Sequence, residues 1–128
     1  MSISKIKQKI LNLDQKGHIK FIFLYGSVAE KRNTLLSDID IAVYYKGSSA
    51  ERFTFRKKAL GNLPDKVDLQ IFQDLPLVVQ KEVIAGKPIY APDEEFMISE
   101  CIKVTREFSA FEKYYTMYIE DLKEEAAA

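Results

Sequence analysis

The sequence predicts an α/β (α+β) fold: a small mixed sheet of roughly three or four strands flanked by helices. Three observations lead there. Short apolar runs bounded by glycine read as buried strands. Segments with apolar residues three and four apart read as amphipathic helices, and the two kinds alternate along the chain. With 128 residues, 47% of them hydrophobic and 30% charged, the chain has the composition of one globular domain, expected to span 1–128.

Ile3, Ile6, Ile10 and Leu13, with lysines between them, predict a first helix over 2–16, capped by Ser2 and closed by Gly17. Ile19 to Tyr25 is apolar except for Lys20 and predicts a buried strand ending at Gly26. Ile39 to Tyr45 predicts a second strand and 50–60 a second helix. Val67 to Phe72 predicts a third strand, with Val67, Leu69 and Ile71 on one face and Asp68, Gln70 and Phe72 on the other. A short helix is expected from Leu75 to Ala85 with Pro76 in its first turn, broken by Gly86-Lys87-Pro88. Ile89-Tyr90 is a candidate fourth strand, and a long last helix is expected over 93–122. In it Met97, Cys101, Val104, Phe108, Phe111, Tyr115, Tyr118 and Leu122 follow alternating steps of four and three. That seam suits either packing on its own domain or a coiled-coil partner.

Charge narrows the function. Lys+Arg and Asp+Glu balance at 19 each, but the basic excess lies in residues 1–60 and the acidic excess in 61–128. A sequence pI near 6.6 argues against a general nucleic-acid binder. Sequence-specific nucleic-acid binding is not expected either. Cys101 is the single cysteine, so an internal disulfide is excluded, and no apolar run reaches membrane-spanning length. No signal-peptide pattern is read at the start, and a cytoplasmic location is the expectation.

The stretch Tyr25-Gly26-Ser27 through Asp38-Ile39-Asp40 carries the chemistry. Gly-Ser directly after a buried strand offers backbone N–H groups to a phosphate, with Gly26 allowing close approach and Ser27 adding a hydroxyl. Ten residues separate Ser27 from Asp38, and Asp40 follows two positions later. Carboxylates at i and i+2 of a strand share a face, and their repulsion is best relieved by a hard divalent cation, Mg²⁺ where phosphates supply further ligands. Asp68 offers a third carboxylate if its strand is a neighbour. His18, the only histidine, reads as a turn or surface residue; Cys101 as a buried thiol; Tyr44-Tyr45 and Tyr114-Tyr115 as packing. Arg52, Arg56, Lys57 and Lys58 form a basic helix face, solvated or in contact with phosphates or an acidic partner.

Gly26-Ser27-x10-Asp38-x-Asp40 with Asp68 resembles the polymerase-β-type nucleotidyltransferase superfamily, in particular its minimal nucleotidyltransferase branch. The resemblance covers most of the chain. It implies a polymerase-β-like nucleotidyltransferase fold, ATP as substrate and two Mg²⁺ ions. It also implies transfer of AMP to a hydroxyl, expected to be a tyrosine, on a partner HEPN-domain ribonuclease toxin. This protein would then be the antitoxin, in a hetero-oligomer with the toxin. Gly26 and Ser27 would hold the triphosphate; Asp38, Asp40 and Asp68 would be the metal-binding and catalytic residues. Where relatives commonly read Gly-Ser-x-Ala-Arg-Gly, Glu30 and Lys31 stand at the Arg and last Gly positions. Lys31 and Arg32 are left to supply positive charge to the phosphates. Two other readings stay open: a catalytically weakened antitoxin that works by binding alone, and a small-molecule nucleotidyltransferase.

Overall fold

The computed structural model describes residues 2–26 and 38–127. Ser27, Lys31 and Arg32, proposed for phosphate binding, and Glu30 lie outside the described residues. The elements run α1 (Ile3–Leu13), β1 (Ile19–Tyr25), β2 (Ile39–Tyr45), α2 (Ser49–Leu60), β3 (Val67–Ile71), a 3₁₀ turn (Phe72–Asp74), α3 (Leu77–Ile84), β4 (Lys87–Tyr90) and α4 (Glu94–Ala127). The four strands form one mixed sheet in the order β3-β2-β1-β4, with β2 and β3 parallel and the other pairs antiparallel.

Helices cover both faces because the strands bury both. On one side Ile6 and Ile10 of α1 and Phe55 and Ala59 of α2 pack onto Ile22, Leu24, Ile41, Val43, Leu69 and Ile71. On the other, Val83 of α3 and Val104 of α4 close over Phe21, Phe23, Tyr25, Ala42 and Phe72. This second side is aromatic at one end. Phe21 lies edge-on to Phe23 and Phe72, and Phe96 from α4 lies edge-on to Tyr44. At its other end the same face carries the carboxylates.

Local chemistry explains the boundaries. The Ser2 hydroxyl accepts from the Lys5 N–H and caps α1 as expected. The helix stops at Leu13 rather than near Lys16, because the Asp14 carboxylate accepts from the N–H groups of His18 and Ile19 and holds the chain in a turn. Gly17, at φ 67°, completes that turn. A reciprocal capping box of Ser48 and Glu51 opens α2 one residue before the expected start. Ser48→Ala should therefore cost about 1 kcal/mol in a urea unfolding titration.

Other boundaries differ from expectation too, and β3 ends at Ile71 rather than Phe72. Pro76 is the N-cap of α3 rather than a member of its first turn, and Phe72–Asp74 form a 3₁₀ turn before it. Strand β4 begins at Lys87, so Pro88 lies within a strand; it is tolerated because β4 is an edge strand. Gly86 lies so close to β1 that a Cβ there would collide with the Leu24 carbonyl. Helix α4 runs to Ala127, five residues past the expected end.

The two arginines of the basic α2 face are structural, while Lys57 and Lys58 are exposed. Arg52 forms a bidentate pair with Asp74 and donates to the Gly47 carbonyl. Arg56 donates to the Leu69 carbonyl on β3, an edge strand. No helix among the described residues is long and apolar enough to cross a membrane.

Candidate active site

Strand register builds the site. Tyr25 of β1 is paired with Asp40 of β2, and Asp40 with Asp68 of β3. One row across three adjacent strands therefore reads Tyr25, Asp40, Asp68. Alternation sends Ile39, Ile41, Val67 and Leu69 into the core beneath α1 and α2, so Asp40 and Asp68 emerge on the opposite face. The parallel pairing of β2 with β3 starts both strands at one end of the sheet, where the two carboxylates stand side by side.

Gly26 follows directly at φ 76°, a left-handed conformation that favours glycine. A Cβ at this position would lie 2.5 Å from Asp40 Oδ2. The glycine is thus needed twice, for the turn leaving β1 and for the space the Asp40 carboxylate occupies.

The electrostatics are those of crowded negative charge. Burial, reinforced by Asp68 and then by Asp38 and Glu82, raises the Asp40 carboxyl above the ordinary carboxylate range. Burial also pushes the Tyr25 phenol up to about 12, helped by Asp40, Asp68 and Glu82. Tyr25 therefore stays neutral at physiological pH and floors the site without adding charge. Gln70 donates its amide to both Asp68 oxygens, at 3.1 and 3.3 Å. It sits two residues along β3, on the same face, and so fixes the orientation of that carboxylate.

The expected trio is not gathered evenly. Among the described residues no three His, Cys, Asp or Glu side chains stand together as a ready metal cage. Asp38 precedes the first residue of β2 and is exposed, so the pleat that aligns Asp40 does not hold it. Its influence on Asp40 ranks below that of Asp68. A paired set of hard oxygen donors nevertheless suits Mg²⁺, which is usually held by one or two carboxylates plus substrate phosphates rather than by an all-protein cage.

Sequence reasoning gave no role to Tyr25, Gln70 or Glu82. The first two were readable: Tyr25 abuts Gly26, and Gln70 shares the face of Asp68 by strand alternation. Glu82 carried no signal, since only the packing of α3 brings its charge near the row. Other side chains stay out of the chemistry. His18 lies edge-on to Tyr45 at a centroid distance of 5.3 Å, and burial raises the half-buried Cys101 thiol. Tyr45 is buried and stacked on Phe55, whereas Tyr114 and Tyr115 are exposed and take no part in the core.

Comparisons with known proteins bear on the family and the fold. A Methanocaldococcus jannaschii protein, provisionally named a protein adenylyltransferase, is 38% identical over 73 residues, covering 57% of this chain and 56% of that protein. The match thus spans little more than half of the relative's length. A toxin–antitoxin crystal structure with AMP-PNP superposes with a TM-score of 0.70 at 22% identity, covering 91% of this chain and 97% of that one. A structure of tri-AMPylated Shewanella oneidensis HEPN toxin in complex with MNT antitoxin gives 0.66 at 22% identity, covering 93% and 97%. At these identities the solved structures speak for the fold alone. The model of the polymerase beta nucleotidyltransferase domain matches residues 5–95, a span that takes in the Gly26-Ser27 pair and all three aspartates. The chain belongs to the polymerase beta nucleotidyltransferase family.

Proposed function

We propose that this protein is a Mg²⁺-dependent adenylyltransferase that moves AMP from ATP to a tyrosine hydroxyl of a HEPN-type toxin and thereby acts as its antitoxin in the cytoplasm. The observation that carries this reading is the Tyr25–Asp40–Asp68 row beside the Gly26 turn: a carboxylate pair lies next to a place where backbone can approach a phosphate. The relative named as an adenylyltransferase and the neighbours that pair MNT antitoxins with HEPN toxins support the substrate and the partner.

On this reading Gly26 and Ser27 cradle the triphosphate, and Lys31 and Arg32 supply positive charge to it. Asp38, Asp40 and Asp68 are the metal-binding and catalytic residues. Mg²⁺, when bound, neutralises the phosphates and favours the ionised acceptor oxygen. Asp68, held by Gln70, accepts the tyrosine proton as the phenolic oxygen bonds to the α-phosphorus. The bond from that phosphorus to the bridging oxygen breaks, and pyrophosphate leaves. Neutral Tyr25 keeps a further anion away from the incoming triphosphate. Positioning and charge neutralisation provide most of the acceleration.

The test is label transfer from α-labelled ATP to the neighbouring toxin with Mg²⁺, comparing wild type with Asp38→Asn/Asp40→Asn. Transfer by wild type and none by the double variant is expected. No transfer by wild type, with the toxin still neutralised by the double variant, would leave binding alone as the activity. Gln70→Leu should lower kcat about 10- to 100-fold with little change in the KM for ATP, because it frees Asp68 without touching the phosphate turn.

A further inference from the structure

Helix α4 is apolar along a stripe that outruns the domain. Met97, Cys101 and Val104 of that stripe pack into the core beside α3, and Phe108 is met by Lys81 Nζ, 5.9 Å from its ring centroid. Beyond Phe108 the same stripe continues as Phe111, Tyr115, Tyr118 and Leu122, and these are 42–61% exposed. Roughly 19 residues, about 28 Å of helix, leave the domain with that surface uncovered among the described residues. Phe111 and Tyr115 already stack on each other, with centroids 6.1 Å apart. Isolated helix of this length is marginal in water without a packed face.

Charge selects the occupant. The positions flanking the stripe are Glu107, Glu112, Tyr114, Ile119 and Asp121: three carboxylates and no base. Parallel pairing with a second copy would set Glu107 against the second copy's Glu112. Antiparallel pairing centred on Tyr114 would set Glu107 against the second copy's Asp121. Both repel. Over Ser109–Ala127 five carboxylates face two lysines, which also disfavours nucleic acid and anionic membrane. Tyr, Phe and Met, all present on this helix, are residue types enriched at protein interfaces.

We propose that the overhanging half of α4, from Phe108 to Leu122, docks onto a helical protein surface whose apolar groove is rimmed by Lys or Arg. That the surface belongs to the toxin rests on the antitoxin reading above; the chemistry of the groove does not.

The probes are two synthetic amphipathic helices with leucine at the seam, one flanked by lysine and the other by glutamate. They are titrated into the full chain by fluorescence anisotropy, with sedimentation velocity of the chain alone. The lysine peptide should bind at least about tenfold more tightly than the glutamate peptide. Tyr115→Glu/Tyr118→Glu should abolish that binding while the unfolding midpoint stays unchanged, since both side chains are exposed. The chain alone should be monomeric. Equal binding of the two peptides, unaltered binding by the double variant, or a dimer that the double variant dissolves would each overturn the inference. Co-purification with the toxin separates the two proposals. Asp40→Asn should keep the complex and lose label transfer, and the α4 variant should lose the complex. A toxin held through α4 but never labelled by wild type would remove the enzymatic reading and leave the docking intact.

Discussion

Asp40→Asn should abolish AMP transfer and, in metal-free buffer at neutral pH, make the protein more stable than wild type. The opposite signs follow from one cause. Asp40 is half-buried beside Asp68 and is raised above the ordinary carboxylate value by burial, Asp68, Asp38 and Glu82. A carboxyl whose folded pKa exceeds its unfolded value holds its proton more tightly when folded. The stability this proton contributes is complete below about pH 4, the ordinary Asp value, and is lost as pH rises through the raised folded value. Above that raised value wild type bears the penalty of holding an ionised Asp40 in this half-buried place, and an isosteric amide removes it. Thermal unfolding of both proteins in EDTA from pH 4 to 8 checks this: the variant's advantage should grow with pH and then level off. Mg²⁺ should raise the wild-type midpoint more than the variant's, because the variant has lost one of the paired donors. If Asp40 holds the metal as proposed, its loss should reduce label transfer by at least about a thousandfold.

Gly26→Ala should damage stability and activity together. The residue sits at φ 76°, where a Cβ costs about 1–2 kcal/mol, and the added carbon would stand 2.5 Å from Asp40 Oδ2. Relief requires that the turn or the carboxylate move. A shift of about 1 Å in a positioning group commonly costs about a hundredfold in rate. Loss of transfer by about that factor, with an unfolding free energy lower by at least about 1 kcal/mol in urea, is the expected pair of results. Wild-type activity in Gly26→Ala would mean that Asp40 does not hold the position described.

Much of the site was legible because its logic is local. The apolar run ending at Gly26 and the alternation of Asp40 with Ile39 and Ile41 are short-range signals, and strands β1 to β3 appear where those signals lie. Whether Asp40 and Asp68 meet depends on strand order, which the sequence left conditional; the parallel register of β2 with β3 settles it. Asp38 shows the limit of the spacing rule. Two carboxylates at i and i+2 share a face only when both lie within the strand, and β2 begins one residue after Asp38. The influence of Glu82 is tertiary and had no local signature. Arg52 and Arg56 looked available for phosphates, yet Asp74 and the backbone of Gly47 and Leu69 engage them. The heptad seam was readable as core or as partner surface, and the structure divides it: the first half packs on the domain and the second half stands free.

The row beside Gly26 is proposed to transfer AMP from ATP to a protein hydroxyl. Intact-mass spectrometry of the neighbouring toxin, after incubation with this protein, ATP and Mg²⁺, tests it most directly. A toxin heavier by whole adenylyl groups, release of pyrophosphate, and neither product with Asp40→Asn or with EDTA are the expected results. An unmodified toxin that is nonetheless bound and silenced, equally by wild type and Asp40→Asn, would contradict it.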